Sequence, residues 1–147
     1  MMGELTTAEI DEVLRAEVLG RIGCVVHGWP YVVPVNYAYD GESIFAQGPE
    51  GLKVRAMRQH PRVCFEVEQI GSASKWKTVV VRGRFQELLH DASDRGLEIV
   101  AARLGGLDTS ANARLVEQDD VHLRVGFHRP VFFQIHILER TGRFELV

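Results

Sequence analysis

Hydrophobic positions recur along this chain with two different periods, and the switches between them mark out its elements. After Thr6-Thr7-Ala8-Glu9, the residues Ile10, Val13, Leu14 and Leu19 return at helical spacing. A threonine followed about three residues later by an acid is the signature of a capping box. A helix is therefore expected from about Thr7 to Ala16, with Gly20 ending the region. The pattern then becomes that of strands. Ile22 to His27 is apolar and β-branched, and Gly28-Trp29-Pro30 reads as a turn. Tyr31 to Tyr39 forms the second run, Asp40-Gly41 is a hairpin signal, and Ser43 to Gln47 completes the hairpin.

Gly48-Pro49-Glu50-Gly51 breaks that strand, and a short helix is expected from Leu52 to Gln59, stopped by His60-Pro61. Arg62 to Glu68 is a strand with Val63, Phe65 and Val67 on one face, and Gln69 to Lys75 reads as a loop. Thr78 to Leu89 is a long strand in which Gly83 suggests a bend or bulge. A helix from Asp91 to Leu104 carries Leu97, Val100, Ala101 and Leu104 on its apolar face and is capped by Gly105-Gly106. Leu107 to Arg124 has mixed patterning, and Val131 to Leu138 is the last strand. Six strands with hairpin punctuation and peripheral helices predict a mainly β fold, a six-stranded antiparallel barrel.

Composition narrows the class. The chain has 147 residues, 46% of them hydrophobic and 25% charged. This predicts one domain, residues 1–147, with one core, and it excludes a disordered chain. A net charge of −3 and a pI near 6.1 argue against a general nucleic-acid binder. No apolar run approaches the roughly 20 residues that span a bilayer. No secretory signal or myristoylation pattern is visible in MMGELTTAEIDEVL, so a cytoplasmic protein with no membrane attachment is expected. Cys24 and Cys64 are expected to be two buried thiols.

Signatures of hydrolysis and metal chemistry are missing. There is no GxSxG elbow, and the six histidines (His27, His60, His90, His122, His128, His136) form no HxH, HxxxH or HExxH. No metal is expected. Two features stand out instead. Pro34 lies inside a strand, and proline cannot donate to a sheet ladder, so this point is an edge, a bulge or a place where something approaches the backbone. Residues 48–53, GPEGLK, lack the Walker A spacing, yet place a strand end, a glycine turn and a helix start together with Lys53 in the first turn. A helix N-terminus suits a phosphate, and Lys53, Arg55, Arg58 and Arg62 add positive charge. The same residues also fit a solvated basic helix face.

The ordered set of segments carries a resemblance. Gly20-Arg21-Ile22-Gly23 leads into Trp29-Pro30-Tyr31-Val32-Val33-Pro34-Val35-Asn36-Tyr37, then Asp40-Gly41 with Ile44-Phe45. Gly51-Leu52-Lys53 with Met57-Arg58 and Pro61 to Val67 follow, then Trp76, Val79-Val80-Val81-Arg82-Gly83 and Thr141-Gly142-Arg143. This order resembles the pyridoxamine 5′-phosphate oxidase-like FMN-binding split-barrel superfamily, most closely its branch of 5-nitroimidazole-resistance (Nim-type) flavoproteins. The resemblance implies a six-stranded split barrel, a homodimer and FMN at the subunit interface. It places Pro34, Val35, Asn36 and Tyr37 along the flavin ring, where backbone groups read the ring's polar edge. Gln47 and Gly48 fall near the ring and ribityl chain, Lys53 on the phosphate-binding lysine, and Trp76 and Thr78 where the partner subunit contributes.

The sequence departs from relatives at Ala46-Gln47, where many carry His or Ser, and at Leu52, where a basic residue is common. It also lacks the additional C-terminal arginines of full pyridoxamine-phosphate oxidases, so that activity is not expected. The resemblance implies an FMN-dependent oxidoreductase that accepts hydride from NAD(P)H and reduces a small acceptor, nitroaromatics being among the candidates. Three alternatives stay open: the same fold with a deazaflavin (F420) or haem, a non-catalytic flavin-binding module, and a structural dimer without a ligand.

Overall fold

A computed structural model describes residues 1–105 and 130–147. Among the described residues, seven strands and three helices follow one another as β1 (Met2–Glu4), α1 (Thr7–Ala16), β2 (Leu19–Val26), β3 (Trp29–Tyr39), β4 (Ser43–Pro49), α2 (Leu52–Gln59), β5 (Arg62–Ser72), β6 (Lys75–Glu87), α3 (Asp91–Leu104) and β7 (Pro130–Leu146). All pairings are antiparallel, in the order β1-β7-β4-β3-β2-β5-β6. Because β6 also pairs with β7, six strands, β2 to β7, close on themselves, and β1 is added outside the ring. Closure removes the open edges that a flat sheet would expose.

Inward residues fill the ring. Ile22, Tyr37, Ile44, Phe65, Val67, Val79, Val81, Phe133 and Ile135 are fully buried. Helix α1 seals one end by adding Ile10, Val13 and Leu14 to this core. Its entry is the expected capping box: Thr6 Oγ1 accepts from the Glu9 amide at 3.2 Å, and Glu9 Oε1 accepts from the Thr6 amide at 3.1 Å. Helix α3 lies on the outside, where Val100 and Leu104 meet Phe45, Leu88 and Phe132 in a second apolar cluster. Each large side chain buried in this way contributes about 1.5–3 kcal/mol.

The bulge suggested by Gly83 is present. The β6–β7 register slips between Arg82 and Gly83, so that Arg82 faces Glu139 while Gly83 faces Ile137. A β-carbon on residue 83 would lie 2.5 Å from the His136 carbonyl oxygen and 2.5 Å from Ile135 Cγ2. Only glycine fits this close approach, at the point where β6 bends.

Three helices occur with the bounds expected from the pattern, but several strands differ. Residues 69–75 are not a loop: β5 runs to Ser72, β6 begins at Lys75, and a register shift between Ile70 and Ser72 absorbs Gly71. The last strand continues past Leu138 to Leu146, because residues 140–146 pair with the start of β6. Trp29 and Pro30 belong to β3; His27 and Gly28, both at positive φ, make the turn. Cys24 is buried, but Cys64 is exposed, because it points from the outer face of β5. Gly105 ends α3 in ordinary right-handed geometry. The stretch from Leu107 to Arg124, Gly106, His122 and His128 lie outside the described residues. Among the described residues, no helix is long and apolar enough to cross a membrane.

Candidate functional site

The ring is thinly paired where β3 meets β4. β3 pairs with β2 along Trp29 to Asn36, but with β4 only through Tyr37–Ala46, Ala38–Phe45 and Tyr39–Ile44. One step further the two strands part, so the next positions, Asn36 beside Gln47 and Val35 beside Gly48, form no pair. Pro34 therefore sits on a stretch of β3 with a strand on one side only, opposite Arg21 of β2. This is the edge that a proline inside a strand requires. Five of the nine expected site residues, Pro34, Val35, Asn36, Gln47 and Gly48, flank this split.

Their side chains face different ways. Val35 and Tyr37 point into the core, and the Tyr37 hydroxyl donates to the Leu14 carbonyl at 2.8 Å. Burial pushes the Tyr37 phenol well above its ordinary range. Asn36 Nδ2 donates to the Val18 carbonyl at 3.2 Å, and the same oxygen accepts the Tyr37 amide at 3.0 Å. Val35 can thus meet a ligand only through the backbone, whereas Tyr37, its amide held by Val18 and its strand paired at Ala46, presents neither side chain nor amide to the split.

Helix α2 begins beside the split. Its N-cap, Gly51, offers no side-chain cap, and no acid occupies the first turn. No side chain of the N-cap or first turn offsets the positive potential of the peptide dipoles, and Glu50, just before the N-cap, is paired with Arg58. Lys53, in that first turn, reaches back over Gly48: a β-carbon on residue 48 would lie 3.2 Å from Lys53 Nζ and 3.5 Å from Cε. Cys24 of β2 is near enough to feel this charge. Burial pushes its thiol up, and Lys53 opposes the shift. A cationic group, an uncapped helix start and a glycine with no side chain to fill the space form a cradle for an anion.

Not all of the basic helix takes part. Arg58 is clamped by two acids: Nε and Nη2 donate to Glu87 Oε2 and Oε1 at 2.8 and 2.7 Å, and Nη1 donates to Glu50 Oε1 at 2.6 Å. It ties α2 to the end of β6 and is committed to structure. Arg62 begins β5 opposite Arg84 and is exposed.

Trp76 and Thr78 lie away from the split, on the outer face of β6. Trp76 Nε1 donates to Glu145 Oε2 at 3.1 Å, and Thr78 Oγ1 donates to Glu66 Oε1 at 3.1 Å. The sequence alone did not single out the residues that join them to the Pro34 side. Arg21 Nη1 lies 3.1 Å from Glu68 Oε1 and 3.8 Å from Glu66 Oε2. The alternation of β5 could have placed Glu66 and Glu68 on one face, but their meeting with Arg21 depends on the β2–β5 register, in which Arg21 faces Glu66. Beyond this polar end, the outer face carries exposed apolar side chains flanked by Arg62, Arg82 and Glu139. Val25, Val32, Cys64 and Leu138 line a groove of about 960 Å³, with Val32 64% and Leu138 71% exposed. Among the described residues, no group of three His, Cys, Asp or Glu side chains could hold a metal ion.

Fold and site together define a family. The family model for pyridoxamine 5′-phosphate oxidase matches residues 6–143, and the chain belongs to that family. A FAD-binding protein from Mesorhizobium loti is 31% identical, with a TM-score of 0.73 over 100% of this chain and 98% of its own. A candidate 5-nitroimidazole antibiotic resistance protein from Bacteroides thetaiotaomicron shares the fold at 14% identity, with a TM-score of 0.74 over 98% of this chain and 87% of its own. An uncharacterized protein of Rhizobium meliloti (strain 1021) is 36% identical over 84 residues, 57% of this chain and 56% of that protein. The chain thus spans little more than half the length of the curated relative it matches.

Proposed function

We propose that this protein binds a flavin mononucleotide unit in the split, as a homodimer, and uses it as an NAD(P)H-dependent oxidoreductase for a small acceptor. The observation that carries this reading is Lys53 folded over Gly48 beside the uncapped start of α2. These residues fit the phosphate of the flavin side chain. The free edge of β3 around Pro34 to Asn36 offers backbone groups to the polar rim of the ring. Gln47, buried at the parting of β3 and β4, and Gly48 border the ribityl chain.

Trp76 and Thr78 stand on β6, three strands from β3 through β2 and two from β4 through β7, and on the outer face, so one subunit does not enclose a ring with both sets of residues. A second copy, seated on the apolar face around Val32 and Leu138, brings them to the first copy's ligand. Burying that face removes exposed apolar surface, the main drive to association. The flavin supplies the electron-transfer chemistry when bound; the protein binds it, orients it and sets the polarity around it.

A particular observation favours a second ligand. The full-length Mesorhizobium loti relative is a FAD-binding protein. FAD contains the same mononucleotide unit extended by an adenylate, so Lys53 suits its flavin-proximal phosphate equally. Titrating ligand-free protein with FMN, FAD, riboflavin, a deazaflavin and haem, followed by flavin fluorescence or absorbance, decides the matter. Tight binding of FMN or FAD with weaker riboflavin binding supports the reading; preference for haem or the deazaflavin removes it. Rapid mixing of the flavin-loaded protein with NADH or NADPH then separates a reductase from a flavin carrier, because a carrier is not reduced at a useful rate.

A further inference from the structure

Four neighbouring strands of the ring stand in the order β3-β2-β5-β6, and their register lays the outward residues in level rows. One row reads Val32, Gly23, Cys64, Arg82, and the next reads Pro34, Arg21, Glu66, Val80. Two residues further along the strands, Asn36 stands beside Leu19, and Glu68 beside Thr78. The alternate positions Ile22, Phe65, Val79 and Val81 are buried, so the rows belong to the outer face. Val25, Val32 and Val80 are exposed there, apolar surface that association would remove from water. The line between β2 and β5 runs down the middle of this face, with β3 and β6 one strand beyond it on either side.

Two identical subunits that meet through this face share a two-fold axis lying in the interface. Charge restricts where it can run. An axis along β2 sets Arg21 against the partner's Arg21, and an axis along β5 sets Glu66 against the partner's Glu66. Like charges placed face to face oppose association. Between the two strands, Arg21 meets the partner's Glu66, and Glu66 meets the partner's Arg21. Close approach is open there, because Gly23 has no side chain and its neighbour Cys64 a small one. An axis running across the strands would keep β6 over the partner's β6, and Thr78 would never reach β3. Only an axis parallel to the strands exchanges β3 for the partner's β6 and keeps each row level.

We propose that the two-fold axis of the homodimer runs along the line between β2 and β5, so that Arg21 of each subunit pairs with the partner's Glu66 and β3 of each packs on the partner's β6. The inference rests on the homodimer reading above and adds to it the axis and the contacts. Arg21 already lies 3.8 Å from Glu66 and 3.1 Å from Glu68 of its own chain, so the axis joins two such groups into one cluster. At equal levels on either side of the line, Pro34 meets the partner's Val80, and Asn36 meets the partner's Thr78. The residues that one subunit holds apart thus come together, and Val80 joins those that border the ligand.

The experiment has two arms. Cys64→Ser protein carrying both Val32→Cys and Arg82→Cys is treated with a bismaleimide spanning about 10 Å, the gap between packed sheets. These positions stand three strands apart in one chain but face each other across the proposed axis. The double variant should give a covalent dimer on a denaturing gel, and neither single variant should. Linking by a single variant, or no linking in a protein that light scattering shows to be dimeric, overturns the axis and leaves the homodimer standing. Monomers by light scattering overturn both. In the second arm, chains with Arg21→Glu and chains with Glu66→Arg are measured apart and mixed. Apart, each sets like charges together across the axis, and its dimer dissociation constant should rise at least about tenfold. Mixed, both contacts across the axis become opposite in charge, and heterodimers should form with about wild-type affinity. The pair within each chain stays broken on mixing, so a purely internal role for Arg21 would not be rescued. No gain on mixing overturns the pairing of Arg21 with the partner's Glu66.

Discussion

Lys53 Nζ lies over Gly48 so closely that a β-carbon at residue 48 would stand 3.2 Å from it. The lysine has folded back from the first turn of α2 onto the end of β4, where the ring parts. If this contact marks the phosphate end of the ligand, Lys53→Ala should weaken FMN by about 10- to 100-fold, the value of a charge-assisted hydrogen bond. Riboflavin, which has no phosphate, should lose less than about twofold. Fluorescence titration of both ligands checks this; equal losses would assign Lys53 to the fold instead.

Gly83 tests how the barrel closes. A methyl group at this point meets backbone at 2.5 Å, and no flexible side chain can yield there. Gly83→Ala should lower the free energy of unfolding by about 1–3 kcal/mol, the usual range for forcing atoms into a packed site. Urea unfolding followed by circular dichroism gives the number. An unchanged midpoint would mean that β6 and β7 approach less closely at the bulge.

Arg58 provides a pH-dependent contribution with a definite sign. It holds the Glu87 carboxyl below the ordinary glutamate range through two hydrogen bonds. Between the lowered folded value and the unfolded value of about 4.3, the unfolded chain binds more protons, so stability rises with pH. The contribution is fully present above that unfolded value and is lost as pH falls through the folded one. Arg58→Met should therefore cost about 1 kcal/mol near neutrality, modest because the groups are partly exposed, and progressively less in acid. Unfolding curves for both proteins between neutrality and pH of about 3 provide the comparison.

The apolar outer face makes its own forecast. Leu138→Glu or Val32→Glu places a charge where a second copy is proposed to sit, and burying an unpaired carboxylate there costs several kcal/mol. Either substitution should yield folded monomers with much reduced flavin affinity, seen by light scattering and by titration. Monomers in the wild type would remove the need for Trp76 and Thr78 at the ligand.

The two levels of this molecule are unequally legible in its sequence. Helix bounds can be read because caps and stops are local: Thr6 with Glu9, and His60-Pro61 after Gln59, lie within a few residues of what they terminate. Gly83 marks a bulge because a lone glycine interrupts a β-branched run that would otherwise favour an unbroken strand. The strand ends are hidden. Gly71, Ser72 and Ser74 look like a loop, and only pairing with β6 makes Ser72 part of a strand. Polar residues 139–146 form a strand because β1 and β6 flank them, a long-range fact that no local pattern encodes. The site divides in the same way. Lys53 at a helix start is a local signal, whereas the trio of Arg21, Glu66 and Glu68 exists only through the register of β2 on β5. Cys64 belongs to a residue type that is usually buried, but the pleat of β5 turns it outward.

The most direct test is to identify what the protein carries when freshly purified. Denaturing it and analysing the released small molecules by absorbance and mass should give FMN or FAD at about one flavin per subunit. A colourless protein that releases no flavin, and takes up neither FMN nor FAD when either is supplied, would contradict the role assigned to the split beside Lys53.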